Sequence, residues 1–291
     1  MKTVGIVLGK VLAIGGLLLA VGILLADGAS AGTIDRIRQT SSVRIAYRED
    51  APPFSVKGIG GEPAGFIVDL CRAVVANLGH QLGLPDLKPV YVAVTSTNRF
   101  DAIQQGQADL LCEPTTETLD RRKRVDFSIP TFVDGAGLLI RRGGPTSFSE
   151  LAGQKVGVLG GTTTEVELRN TLKDSSISAD VIVAKSHQEG LEMLEAGKIS
   201  AYFADRAILQ FLQLESKAPE NLGLAENYLT IELYALALPH GDEDFRLAVD
   251  TALSQIYRSG EIIKIFRHTF GPTTTPSNLV KTLYAISGLQ E

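Results

Sequence analysis

After Gly32, short apolar runs rich in β-branched residues alternate with amphipathic helical stretches, and this alternation constrains the fold more than any other feature. It predicts α/β layers in which helices connect parallel strands. The predicted strands cover residues 43–47, 89–94, 108–112, 155–159, 181–184 and 200–203. The predicted helices between them cover residues 65–78, 99–105, 163–173 and 188–196.

One sequence pattern occurs twice: a predicted helix that ends at a glycine is followed by an apolar strand, and polar residues come directly after that strand. Residues 100–106 leading into 108–112 match residues 191–197 leading into 200–203, with Gly106 and Gly197 as helix C-caps. The repeat predicts two similar lobes, and two extended runs, 136–142 and 233–238, are the predicted crossings between them. We expect residues 32–138 and 236–291 in lobe 1, residues 139–235 in lobe 2, and a ligand cleft between them.

The first 31 residues are typical of a signal peptide. Lys2 and Lys10 precede or interrupt an apolar region that ends at Ala26, and a small-residue Ala29-Ser30-Ala31 pattern stands before Gly32. The alternative is an uncleaved membrane anchor, although the run 11–26 is shorter than the ~20 residues of a typical span.

Export would place two cysteines, Cys71 and Cys112, in an oxidising compartment. Either they form a disulfide between a predicted helix and a predicted strand, or both are buried free thiols. Their spacing is not that of a catalytic pair.

Composition restricts the partners. A net charge of −5, with no basic run longer than residues 121–124, disfavours nucleic acid. The 4 histidines are scattered, and no glycine-rich nucleotide loop follows a strand, so we expect no metal and no cofactor.

Charged and hydroxylic residues follow the predicted strands where each one ends. Arg48, Arg99 and Asp205 are the principal charged ones. The turn Gly160-Gly161-Thr162-Thr163 runs directly into a helix, so its N–H and hydroxyl groups would favour an anion such as a carboxylate.

With these motifs the chain resembles the family 3 periplasmic solute-binding proteins, the amino-acid receptors of ABC importers, over essentially all of its mature length. The resemblance rests on Pro53-Phe54, Gly65-Phe66, Val68-Asp69-Leu70, the spacing of Thr116, Arg121, Val125, Phe127 and Ser128, then Gly161-Thr162-Thr163, and Asp205. The pattern is closest to the glutamate/aspartate-binding group. It implies a type II periplasmic binding protein fold, in which two Rossmann-like lobes are joined by two hinge strands.

The resemblance also implies a ligand site. Arg121 would hold the α-carboxylate of an amino acid, with Thr116, Thr162 and Thr163 beside it, and Asp205 would bind the ammonium. Pro114 stands where the family has serine or glycine; it keeps the carbonyl for the ammonium and lacks a hydroxyl. The alternatives are that Arg121 lies on a solvated helix start, and that the threonines and Asp205 are helix caps.

A second set would contact the ligand side chain: Arg48, Ser96, Arg99 and His187. Two further cations beside a zwitterion favour glutamate or aspartate, because a neutral ligand would leave them unpaired. The alternative is that Arg48 pairs with Glu49 or Asp50 and Arg99 caps its loop, which would leave a broad polar site.

The implied function is that of a monomeric periplasmic receptor, which captures an amino acid by lobe closure and delivers it to the permease subunits of an ABC importer. It is not an enzyme in this interpretation. One alternative is a cyclohexadienyl dehydratase-like enzyme on the same fold, with Glu113 or Asp205 as general acid. Another is a ligand sensor that keeps its N-terminal anchor. We expect the tail from Gly271 to be loosely packed.

Overall fold

A computed structural model describes residues 32–226 and 228–290, so the predicted signal peptide at 1–31 lies outside the described residues. The α-helices are α1 (Thr33–Thr40), α2 (Phe66–Leu82), α3 (Arg99–Gln104), α4 (Thr163–Asp174), α5 (His187–Glu195), α6 (Arg206–Glu215), α7 (Glu243–Ser259), α8 (Glu261–Phe270) and α9 (Asn278–Ser287). The strands are β1 (Ser42–Arg48), β2 (Asp50–Ala51), β3 (Ser55–Lys57), β4 (Pro63–Ala64), β5 (Lys88–Val94), β6 (Leu110–Leu111), β7 (Asp126–Phe127), β8 (Phe132–Asp134), β9 (Ala136–Arg141), β10 (Lys155–Leu159), β11 (Asp180–Ala184), β12 (Ala201–Asp205), β13 (Leu222–Leu224), β14 (Glu232–Tyr234) and β15 (Ala237–Leu238).

Two five-stranded sheets form the two lobes. The first has the order β5-β1-β6-β15-β7, and the second has the order β11-β10-β12-β9-β13. In each, the second strand in this order pairs in parallel on both sides: β1 with β5 and β6, and β10 with β11 and β12. The prediction of an α/β fold with two sheet-containing lobes is confirmed, and the repeated sequence pattern corresponds to equivalent strands of the two sheets.

Two extended connections run between the sheets. The chain enters the second sheet through β9 at Ala136 and is again part of the first sheet in β15 at Ala237. Just before these points β8 pairs antiparallel with β14, so the two crossings lie side by side. The domain limits at residues 138, 139, 235 and 236 stay a prediction.

An aromatic cluster supports these crossings. The rings of Phe54, Phe66, Phe132 and Tyr234 are buried, and the ring of Phe54 lies 5.1 Å from Phe132 and 5.5 Å from Tyr234. Burial of each such side chain stabilises the fold by about 1.5–3 kcal/mol. The cluster therefore fixes β8 and β14 against the first lobe.

The structure joins Cys71 of α2 to Cys112 by a disulfide, with a Cα–Cα distance of 6.3 Å. Of the two alternatives for the cysteines, it therefore contains the paired one. Cys112 follows β6 directly, so the bond fixes the strand end from which Glu113 projects.

The tail from Gly271 differs from the expectation of loose packing. It forms α9, in which Val280, Leu283, Tyr284 and Ser287 are buried at the spacing of one helix face. The ring of Tyr284 lies 4.9 Å from that of Tyr257 in α7. Of the helices in residues 32–226 and 228–290, none is long and apolar enough to cross a membrane.

Candidate functional site

A small cavity of ≈ 20 Å³ lies between the two lobes, beyond the carboxyl ends of the parallel strands. A space of this size holds about one water molecule, so the lobes meet closely here. The residues predicted to bind ligand that line it are Arg48, Arg99, Pro114, Thr116, Arg121, Thr162, Thr163, His187 and Asp205. Ser96 lines a wider opening beside it.

Arg48 ends β1 and is buried. Its guanidinium lies 2.8 Å from the Asp50 carboxylate and 3.6 Å from that of Glu113. The sequence left open whether Arg48 pairs with a neighbouring acid, and in the structure it does so with Asp50. Its second partner, Glu113, is fully buried and was absent from the predicted ligand-binding set.

Arg99 begins α3 and is also buried, with Nε 3.5 Å from Oε1 of Glu113. Its Nη2 donates to the carbonyl of Gly161 in the other lobe, at 3.2 Å, so Arg99 bridges the cleft and does not cap its own loop. Burial lowers the pKa of Arg99 to about 10, and the nearby charges of Arg121 and Arg48 add to this effect. Its Nη1 has no hydrogen-bond partner among the described residues.

Arg121 turns into the cavity. Its Nη1 donates to the carbonyl of Thr116 at 2.6 Å, and its guanidinium lies over the ring of Phe100, 5.3 Å from the centroid. Burial lowers its pKa. The alternative of a solvated cation applies to its neighbour Arg122, whose exposed side chain pairs with Glu117.

The three threonines predicted to bind the ligand have two different roles in the structure. Thr162 is the N-cap of α4 and accepts from the backbone N–H of Glu165, so its hydroxyl acts as a helix cap. The hydroxyls of Thr163 and Thr116, by contrast, both donate to the carboxylate of Glu232, the former at 2.8 Å. Glu232 in β14 thus links a loop of the first lobe to a helix start of the second.

Asp205 ends β12 at the N-terminus of α6, yet its side chain does not cap that helix. It accepts instead from the hydroxyl of Tyr234 at 2.6 Å and from that of Thr164 at 3.4 Å. Burial raises the pKa of Asp205 to about 7, and the carboxylates of Glu232 and Asp134 contribute to the rise. Burial likewise raises the pKa of Asp134 to about 6.

His187 is buried at the start of α5, with Nδ1 3.0 Å from the hydroxyl of Tyr202. Burial and the adjacent charge of Arg48 hold its pKa well below the usual range, so the imidazole is neutral at pH 7. It therefore offers the cavity a hydrogen-bonding group without a charge.

The lobes approach each other closely at Gly161. Its φ of +74° belongs to the left-handed region, and a Cβ there would lie 3.0 Å from the carbonyl oxygen of Ser96. Glycine is required here both by backbone conformation and by the contact across the cleft.

Two acids beside the cavity, Glu113 and Glu232, were not in the predicted ligand-binding set. Glu113 follows β6 as the other site residues follow their strands, and the sequence offered it only as a general acid of the enzyme alternative. Glu232 carries no such signal, because it lies in a crossing strand far along the chain from Thr116. No group of three or more His, Cys, Asp or Glu in the described part of the chain is placed to hold a metal ion.

Comparison with known proteins places the chain in a family. Residues 43–272 match the model of bacterial extracellular solute-binding proteins, family 3. The chain belongs to this family. A glutamate/aspartate-binding protein of Pseudomonas aeruginosa is 34% identical over 250 residues, which cover 85% of this chain and 83% of the relative.

Two further relatives extend the comparison. A glutamate/aspartate import solute-binding protein of Escherichia coli K12 is 31% identical over 267 residues, covering 90% of this chain and 88% of the relative. An ancestral amino acid-binding protein, described as a precursor of cyclohexadienyl dehydratase, has a solved structure with a TM-score of 0.71 and 26% identity. That match covers 82% of this chain and 100% of the other. The type II periplasmic binding protein fold and the resemblance to the glutamate/aspartate-binding group are thereby confirmed.

Proposed function

We propose that this chain is an extracytoplasmic receptor that captures an amino acid by closure of its two lobes and delivers it to an ABC importer. One observation carries the proposal: a single cavity is lined by the Arg121 guanidinium from the first lobe and the Asp205 carboxylate from the second. A zwitterion has the complementary pair of charges, which only the closed form can engage together.

In the bound state Arg121 would donate two parallel hydrogen bonds to the α-carboxylate. The ammonium would lie between Asp205 and the carbonyl of Pro114. Thr116 and Thr163 now donate to Glu232, and each hydroxyl would turn to the ligand carboxylate instead. Binding therefore exchanges an internal carboxylate for that of the ligand at the point where the lobes meet.

Glutamate or aspartate is the narrower form of the proposal. Its support is the naming of the relatives from Pseudomonas aeruginosa and Escherichia coli, together with Arg48 and Arg99 beside the cavity. Ser96 and His187 would complete the contacts to the ligand side chain. A second ligand class, amino acids with an uncharged polar side chain, is favoured by the pairing of Arg48 and Arg99 with Glu113.

Delivery to an importer is supported by the word import in the names of such relatives, and a periplasmic location by the family description as extracellular. An enzyme on this fold would need a general acid in the cavity. Asp205, whose pKa is raised to about 7 by burial, is the group that favours this second candidate. A sensor would use the same ligand site and differ only in its partner.

A thermal-shift screen of the purified protein against each amino acid, followed by calorimetry, tests the proposal. A ligand at 100 times its dissociation constant should raise the free energy of unfolding by ~2.7 kcal/mol. Stabilisation by glutamate or aspartate alone would support the narrower form. If no amino acid shifts the transition, the receptor proposal fails, and turnover of a cyclohexadienyl acid followed by absorbance would favour the enzyme.

A further inference from the structure

The arginines beside the cavity already have internal carboxylate partners. Arg48 contacts Asp50 at 2.8 Å and Glu113 at 3.6 Å, while Arg99 contacts Glu113 at 3.5 Å. The side chains of Arg48, Arg99 and Glu113 are 3%, 2% and 0% exposed, so water screens none of these contacts effectively. Glu113 does not line the cavity; it compensates the two arginines from behind.

The charges of this group cancel. Two guanidinium groups carry +2, and the carboxylates of Asp50 and Glu113 carry −2. A second carboxylate on a ligand would therefore meet no uncompensated cation at this end. It would lose its hydration and would lie close to the carboxylate of Glu113.

Hydrogen-bonding capacity nevertheless remains. Arg99 Nη1 is buried and has no hydrogen-bond partner among the residues described, and Arg99 lines the cavity. A buried donor without a partner costs free energy until an acceptor reaches it. The carbonyl oxygen of a carboxamide or a hydroxyl oxygen would satisfy this donor without bringing a charge.

We propose that Glu113 is the built-in counter-ion of Arg48 and Arg99, and that it sets the receptor to prefer an amino acid with an uncharged polar side chain, such as glutamine, over glutamate. The inference rests on the general form of the proposed function, that the cavity binds an amino acid. It opposes the narrower form, in which the ligand carries a second carboxylate.

Calorimetry with glutamine and glutamate on the wild-type protein and on Glu113→Gln tests the inference. Gln at this position keeps the size and an acceptor for Thr115, whose hydroxyl contacts Glu113. We expect glutamine to bind the wild-type protein more tightly than glutamate. The variant should bind glutamate about tenfold more tightly than the wild type does, with less than about threefold change for glutamine, because the carboxylate that neutralises Arg48 and Arg99 is gone.

Glu49→Gln is the matched control. It removes the same charge one residue from Arg48, but Glu49 pairs with Lys57 on the surface, so the ratio of the two affinities should stay at its wild-type value. If glutamate binds the wild-type protein as tightly as glutamine or more tightly, the inference falls and the receptor proposal stands; this holds even if Glu113→Gln fails to fold. An unchanged ratio in a folded Glu113→Gln also overturns it. Binding of no amino acid by the wild type would overturn the receptor proposal and the inference together.

Discussion

The two ends of the cavity hold buried charge in opposite ways. At the arginine end, Arg48 and Arg99 are compensated by ion pairs with Glu113 and Asp50. At the carboxylate end, Asp205 lines the cavity and the charges of Asp134 and Glu232 lie near it. The donors here are hydroxyl and backbone N–H groups, such as Tyr234 to Asp205 and Ala207 to Asp134. The charges at the arginine end sum to zero, whereas the carboxylate end holds several acids close together.

The difference shows at which end of the cavity a charged group of the ligand is most stabilising. The excess negative charge at the carboxylate end, together with burial, raises the pKa of Asp205 to about 7 and that of Asp134 to about 6. A proton relieves this excess in the empty protein, and a ligand ammonium could do so in the bound one. The carboxylate end thus requires a cation, while the arginine end, apart from Arg121, requires only a hydrogen-bond acceptor.

The comparison is most strongly tested at Arg121, which, unlike the other two arginines that line the cavity, has no ion pair with a described acid within 4.0 Å. We expect Arg121→Ala to lower the affinity for the amino acid by about 2–5 kcal/mol, because it leaves the ligand carboxylate buried and unpaired. Calorimetry measures the loss. Arg122→Ala, which removes an exposed arginine paired with Glu117, is the control and should bind normally. A loss below about tenfold in Arg121→Ala would contradict the assignment.

Asp205→Asn should weaken ligand binding but stabilise the empty protein. Loss of the charged acceptor should weaken binding by about 1.5–3 kcal/mol. At pH 8 the same change should raise the free energy of unfolding of the empty protein by about 2–4 kcal/mol. The rise of the Asp205 pKa from 3.8 to about 7 is worth about 4 kcal/mol, and a weaker hydrogen bond from Tyr234 offsets part of it. Calorimetry and chemical denaturation give the two values. Weaker binding with no gain in stability would mean that the acids do not repel one another as we infer.

The pH dependence of the free energy of unfolding and of the ligand affinity should test the carboxylate end without any mutation. A carboxyl group with its pKa raised from 3.8 to about 7 holds a proton in the folded state that the unfolded chain has lost. The free energy of unfolding of the empty protein should therefore fall as the pH rises from ~4 to ~7. Ligand affinity should change in the opposite sense, since the ammonium requires ionised Asp205, and should drop about tenfold between pH 8 and pH 6. Parallel changes in stability and affinity would contradict this account.

The sequence located both arginines of the arginine end but only Asp205 of the carboxylate end. Arg48 and Asp205 end their strands and Arg99 follows β5 after a short turn. The carboxyl ends of parallel strands meet at one edge, so a local rule places these residues together. Glu232 and Tyr234 contact cavity residues from a crossing strand, whose position depends on the pairing of β14 with β8. No local pattern encodes that pairing, because it is a long-range contact.

The sequence also could not predict which acids pair with the buried arginines. The residues show that Arg48 could pair with Asp50, but not that Glu113 turns inward behind both arginines. That orientation depends on the end of β6, which the Cys71–Cys112 disulfide fixes against α2. The alternation of strands and helices was sufficient to predict the two lobes, because each strand or helix buries its own apolar face.

The smallest expected effect concerns a backbone contact between the two lobes, at Gly161. Gly161→Ala places a Cβ 3.0 Å from the carbonyl oxygen of Ser96 and strains a φ of +74°. The strain alone costs about 1–2 kcal/mol of stability. Gly143→Ala is a matched control with φ +81° and nothing within 4 Å of the added Cβ. Both variants should lose similar stability, but only Gly161→Ala should also lose affinity, by about threefold to tenfold, because it opposes the closed form. Equal affinities for the two variants, measured by calorimetry, would mean that this backbone contact is not needed for binding, and that the charges at the two ends of the cavity suffice to hold the lobes together.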